Sequence, residues 1–163
     1  MRSLTLPALA AVLTLAACAS EISTPPVAYT ATKTLNERST TTLTARAFAR
    51  VDGKRQELTG VLCTFQGDGF KSSFTTPAVL IAPNMQTRTP VASVTCSYND
   101  QSKTKTLTPY NKTLADINSG AMSIGYGAGL VGVLVGGAVA AVQSSNRDTS
   151  QDVYAYPDAV VEF

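Results

Sequence analysis

Residues 91–98 read Val-Ala-Ser-Val-Thr-Cys-Ser-Tyr. Strict alternation puts Ala92, Val94, Cys96 and Tyr98 on one face and Ser93, Thr95 and Ser97 on the other, the period of a half-buried strand. Val61, Cys63 and Phe65 share a face in the same way. Each cysteine is therefore expected to point inward among apolar neighbours.

The flanking sequence repeats this pattern in short, threonine-rich runs. From Thr41 to Val51, Leu43, Ala45, Ala47, Ala49 and Val51 fall on one face, with Thr42, Thr44, Arg46, Phe48 and Arg50 on the other. Asp52-Gly53 follows, a pair that tolerates the positive φ angles of a tight hairpin turn. The pattern predicts a return strand over 55–65, a turn at Gly67-Asp68-Gly69, and a strand from Phe70 to Phe74. A short buried strand is expected from Ala78 to Ala82, ended by Pro83, and another from Lys103 to Thr108 with its charge on one side. Val153 to Phe163 reads as a last strand after the Pro157 break, with Ala159, Val161 and Phe163 alternating against Val160 and Glu162. Six or seven short strands with inward cysteines predict a mainly β protein, a small antiparallel β-sandwich.

Arg2 precedes an apolar, alanine-rich stretch, Leu4 to Ala17, too short to span a bilayer as a stable helix. It ends Leu15-Ala16-Ala17-Cys18, which resembles the bacterial lipobox. The resemblance implies removal of residues 1–17, lipidation of Cys18, and stable membrane attachment through more than one acyl chain. The other reading is an ordinary signal peptide with a chance cysteine. Ala19 stands where the resemblance would want Asp for inner-membrane retention, so the periplasmic face of the outer membrane is the expected location. Residues 18–27 read as a tether stiffened by Pro25-Pro26. Cleavage would leave 146 residues (163 less 17) and a net charge of +1 (12 basic less 11 acidic). With Cys18 assigned to lipid, Cys63 and Cys96 form an even pair in an oxidising compartment, and an inter-strand disulfide is expected. No C-x-x-C spacing is present to make it a redox pair.

From Ile117 to Asn146 there is no charged residue. Gly125, Gly129, Gly132 and Gly136 step by four, three and four, one stripe on a helix, which Ala121 and Ala140 extend. Such a stripe permits close backbone approach. The heart of the segment, 121–142, would measure about 33 Å as a helix, against roughly 30 Å of bilayer hydrocarbon. Apolar insertion energy, about 2–5 kcal/mol in sum, is opposed by six glycines that weaken the helix by about 1 kcal/mol each. Insertion, self-association, packing on the sandwich and a looser loop all remain open. If the last strand rejoins the sandwich, the segment is an excursion with both ends on one side, and a single straight bilayer crossing becomes awkward. A helix or helical hairpin inserted before the last strand is expected.

Composition narrows the chemistry. Charged residues are 15% and the net charge is +2, too even for a phosphate-gripping surface. There is no histidine, the commonest general base and metal ligand. Gly127-Ala128-Gly129-Leu130-Val131-Gly132 matches G-x-G-x-x-G but lacks the flanking β-α units that dinucleotide binding needs. Ser102-Lys103-Thr104-Lys105 matches S-x-x-K but lies in a strand pattern, without S-D-N or K-T-G partners. The carboxylates are scattered and form no D-x-D-x-D run. Tyr98, Tyr110, Tyr154 and Tyr156 could form a sugar platform, although tyrosines of small β domains more often pack at the rim.

Together these features resemble a group of small, uncharacterised proteobacterial envelope lipoproteins. The shared pattern is a lipobox, a cysteine followed by Thr-Pro (Cys63, Thr76-Pro77), a second cysteine in a strand (Val94-Thr95-Cys96), a Gly-rich apolar segment, and a closing Tyr-Pro strand (Tyr156-Pro157-Asp158). Thr76-Pro77-Ala78-Val79 is also similar to the PEGA-type β domain. The glycine segment here is longer and lacks an acidic residue, and Ala78 stands where glycine is commoner. The likeness implies fold and location, and no activity. The expected organisation is a signal peptide over 1–17, a tether over 18–27, a sandwich over 28–112, a Gly-rich excursion over 113–149 and a last strand over 150–163. The expected function is non-enzymatic and cofactor-free: a lipid-anchored envelope protein with a structural or assembly role, contacting membrane or sister copies through the stripe and no nucleic acid. A periplasmic binding module for peptidoglycan or a small ligand is the other reading.

Overall fold

The computed structural model describes residues 21–126 and 144–163. It is mainly β, with two larger sheets packed face to face and a third sheet of two short strands among the described residues. Among the described residues the strands are β1 (Thr30–Ala31), β2 (Ser39–Val51), β3 (Lys54–Leu58), β4 (Leu62–Gly67), β5 (Phe70–Thr75), β6 (Ala78–Asn84), β7 (Ala92–Tyr98), β8 (Gln101–Leu107), β9 (Tyr110–Asn111), β10 (Tyr154–Ala155) and β11 (Ala159–Glu162), and the helix α1 spans Lys112–Tyr126. One sheet runs β1-β5-β4-β7-β8. The other is organised on the long β2, whose residues 39–45 pair with β6 and residues 47–51 with β3, end to end on one edge. Its opposite edge takes β11 at residues 45–48.

The core divides its bulk unequally. The β2 sheet supplies small side chains, Ala45, Ala47, Ala78, Ala82 and Ala159, and the five-stranded sheet supplies Phe65, Phe70 and Phe74, all buried. Alanines facing phenylalanines fill the inter-sheet space without overpacking. The Phe65 and Phe70 rings lie 5.3 Å apart, and Tyr156 meets Phe65 edge-on at 5.6 Å. Gly67 makes room for this arrangement, because a Cβ there would sit 2.4 Å from the Phe70 ring.

The expected hairpin at Asp52-Gly53 forms, both residues having positive φ (51° and 75°). A second turn of the same kind, Asn99-Asp100 (47° and 60°), joins β7 to β8 and is absent from the sequence reading. Cys63 and Cys96 face each other on neighbouring antiparallel strands and are disulfide-bonded, Cα to Cα 4.1 Å, both fully buried.

Several expectations need correction. The sandwich is not wholly antiparallel, since β11 pairs with β2 in parallel. Antiparallel neighbours follow from tight turns, but β11 reaches β2 from far along the chain and is free to run either way. The single return strand over 55–65 is two strands in different sheets. Gly60, at φ +75°, turns the chain between them, and its N–H donates to the Thr76 carbonyl at 2.6 Å where β5 crosses back to β6. β6 does not end at Pro83 but runs to Asn84. Outside β2 its free edge meets only the bridge at Val27 among the described residues, and an edge tolerates proline. Val27 is not tether: its N–H donates to the Val79 carbonyl and its carbonyl accepts from Ile81 N–H. Val51, expected inside, is 45% exposed because β2 outruns the core at the hairpin end.

Replacing both cysteines by alanine should lower stability by about 3–4 kcal/mol, the entropy of the loop they close. Urea unfolding of the oxidised chain and the double variant checks this, and a loss under about 1 kcal/mol contradicts it.

Candidate functional site

The uncharged segment leaves and rejoins the sandwich at one place. Tyr110–Asn111 (β9) and Tyr154–Ala155 (β10) pair antiparallel, so the strand before the segment and the strand after it lie side by side. Around this pair the polar side chains form a clasp. Asn111 caps α1, its Oδ1 accepting from Leu114 N–H at 2.9 Å, the third residue on, as an N-cap does. Its Nδ2 donates to Asp152 Oδ2 at 2.6 Å. Arg147 grips the same carboxylate with two bonds, Nε to Oδ1 at 3.0 Å and Nη2 to Oδ2 at 3.1 Å. Such paired donors fix geometry as well as charge.

Backbone bonds complete the root. Val153 N–H donates to Thr113 Oγ1 at 2.9 Å, and the Val153 carbonyl accepts from Lys112 N–H at 2.8 Å. Asn84, 2% exposed, anchors the root to the sandwich. Its Oδ1 accepts from Tyr154 N–H at 2.9 Å and Gln86 N–H at 3.0 Å, and its Nδ2 donates to Ser39 Oγ at 2.8 Å. α1 is held mainly at its start, with Ala115, Asp116, Asn118 and Ser119 exposed.

Asp152 is 4% exposed, yet the Arg147 guanidinium, and after it Asn111, hold its carboxyl below the usual carboxylate range against the cost of burial. All its bonding is committed to the clasp, so it is not poised as a general base. Burial pushes the Tyr156 phenol well above its usual range, and its hydroxyl donates to the Pro90 carbonyl at 2.6 Å. Among the described residues no group of three or more His, Cys, Asp or Glu could hold a metal ion. No helix among them is long and apolar enough to cross a membrane.

Of the stripe residues, Ala121 and Gly125 lie four apart in α1. Gly129, Gly132, Gly136 and Ala140 lie outside the described residues, as does Cys18. The four tyrosines do not make a platform. Tyr156 is in the core and Tyr98 packs on Phe163 at 5.6 Å. Tyr110 is 42% exposed and Tyr154 half-buried. Ser102 and Lys105 sit on β8 at opposite parity, so the S-x-x-K spacing points them to opposite faces. The clasp residues Asn84, Arg147 and Asp152 are absent from the sequence reading, and 41 residues separate Asn111 from Asp152. Asn111 ahead of a helical stretch is a readable cap signal.

Asn111→Ala should cost about 1 kcal/mol through loss of the cap, read as faster amide exchange at Leu114. Because the Asp152 carboxyl is held low when folded, its contribution is complete at neutral pH and is lost as pH falls through and below the usual carboxylate range. Slow exchange at Val153 N–H should therefore collapse only in acid. In Asp152→Asn that acid step should vanish, and an unchanged step would assign it elsewhere, Asp148 being the nearest candidate by sequence.

No family model, curated protein or solved structure matches the chain.

Proposed function

We propose that this chain is a non-enzymatic, lipid-anchored protein of the cell envelope, held at the periplasmic face of the outer membrane through Cys18. Its Gly-rich excursion plays an assembly role, contacting the membrane surface or sister copies. The observation that carries this reading is the clasped root. Thirty consecutive uncharged residues, 117–146, start from and return to a pair of strands that are hydrogen-bonded neighbours. With both ends at one point, the last strand returns to the body from which the segment starts. A single straight crossing would leave the last strand on the far side of the bilayer from the body it pairs with.

A helix that is apolar all round needs cover. On a helix Leu130 and Leu134 would lie opposite the glycine stripe, and small residues spaced by three and four favour helix-to-helix contact over lipid alone. Acyl chains on Cys18 would confine the copies to one surface, raising their effective concentration for such contact.

Gly129→Leu together with Gly132→Leu should abolish any oligomer seen by crosslinking in membranes while leaving the sandwich folded. Cys18→Ser should move the chain from the membrane to the soluble fraction. Crosslinking unchanged by the leucines discards the stripe as the contact, and membrane retention of Cys18→Ser discards the lipid anchor.

A further inference from the structure

The outward faces of the two sheets differ in kind. On the β2 sheet that face carries Arg46, Arg50, Arg55, Glu57 and Glu162, with ion pairs Arg46–Glu57 and Arg55–Glu162 and the Arg55 guanidinium 3.5 Å above the Phe48 ring. The five-stranded sheet is nearly without charge on its outward side. Its registers align three rows across β5, β4, β7 and β8. They are Thr75, Leu62, Ser97, Ser102; then Ser73, Thr64, Thr95, Thr104; then Lys71, Gln66, Ser93, Thr106.

Nine of those twelve positions bear hydroxyls and one, Lys71, a charge. The rows repeat about every 6.7 Å along the strands, and neighbours stand about 4.8 Å apart across them. Strand propensity accounts for threonine but not for the four serines. Among the described residues Thr95 and Thr104 bond each other at 2.9 Å, and no other hydroxyl of the array has a side-chain hydrogen bond in the structure. At one end a groove of about 570 Å³ runs past Gln66, Ser93 and Thr106, with Val91 on its wall. Leu62, 64% exposed, stands at the other end.

We infer that this hydroxyl face binds a neutral polysaccharide carrying hydroxyl and acetamido groups, laid flat across the strands. A polyanion would require several cations here. The twelve positions hold none of the aromatic, methionine or arginine side chains that are enriched at protein interfaces. Hydroxyls both donate and accept, so they match a ligand of the same kind with little charge to desolvate, Lys71 in the array and Asp68 on the groove wall being the exceptions, while Leu62 and Val91 offer contact to its C–H surfaces. The face lies on described strands and does not depend on whether Cys18 carries lipid or the stripe self-associates.

The test is co-sedimentation of the full chain, in mild detergent, with insoluble chitin and with purified peptidoglycan sacculi. The expected result is retention by both, persisting at high salt and released by soluble chito-oligosaccharide. T64V/T95V/T104V, nearly isosteric, should bind about tenfold less or weaker, three hydroxyl bonds being lost, and R50Q on the other face should bind as the parent chain does. S73A/S93A provides a second, milder variant whose binding should also fall, so a folding defect in the first decides nothing by itself. No retention by either polymer, release by salt, or undiminished binding of the folded variants overturns the inference. Retention by sacculi without chitin does so as well, because the stem peptides would then be the ligand.

Discussion

The ring of Tyr156 closes the structure. It packs against Phe65 and Phe70 in the middle of the core and donates its hydroxyl to the Pro90 carbonyl. Four residues before it Asp152 closes the clasp, and three residues after it Ala159 begins β11. One buried side chain thus ends the excursion and seats the last strand on β2. The strands at the two ends of the uncharged segment stay paired because the tail is pinned at this point.

The same packing explains how the sandwich tolerates its exposed edges. β8 is an edge strand, and Lys103 and Lys105 stand on its core-facing side, opposite Cys96 and Val94, yet both are exposed. Charges directed inward at an edge discourage another strand from pairing there. On the other sheet the edge of β2 is covered, by β6 and β3 on one side and β11 on the other.

Much of this was legible in the residues. The alternation in 91–98 and in 41–51, the Asp52-Gly53 turn and the inward cysteines are all found where the pattern puts them. The break at Gly60 was less legible, because the 55–65 run is polar to apolar without punctuation strong enough to announce a change of sheet. The clasp was least legible. Asn111, Arg147 and Asp152 are ordinary polar residues in sequence, and only the meeting of two distant strands makes them one site.

Sequence alone determined which face of β2 and of β7 is wet and which is dry, because a period of two is a local property that needs no knowledge of the partner. It also determined that residues 117–146 carry no charge. Tertiary structure decided which edge each strand takes, that β11 runs parallel to β2, and that the two ends of the uncharged segment are tied together. Those outcomes depend on long-range closure and on the fit of phenylalanines against alanines, and no short window of residues contains them.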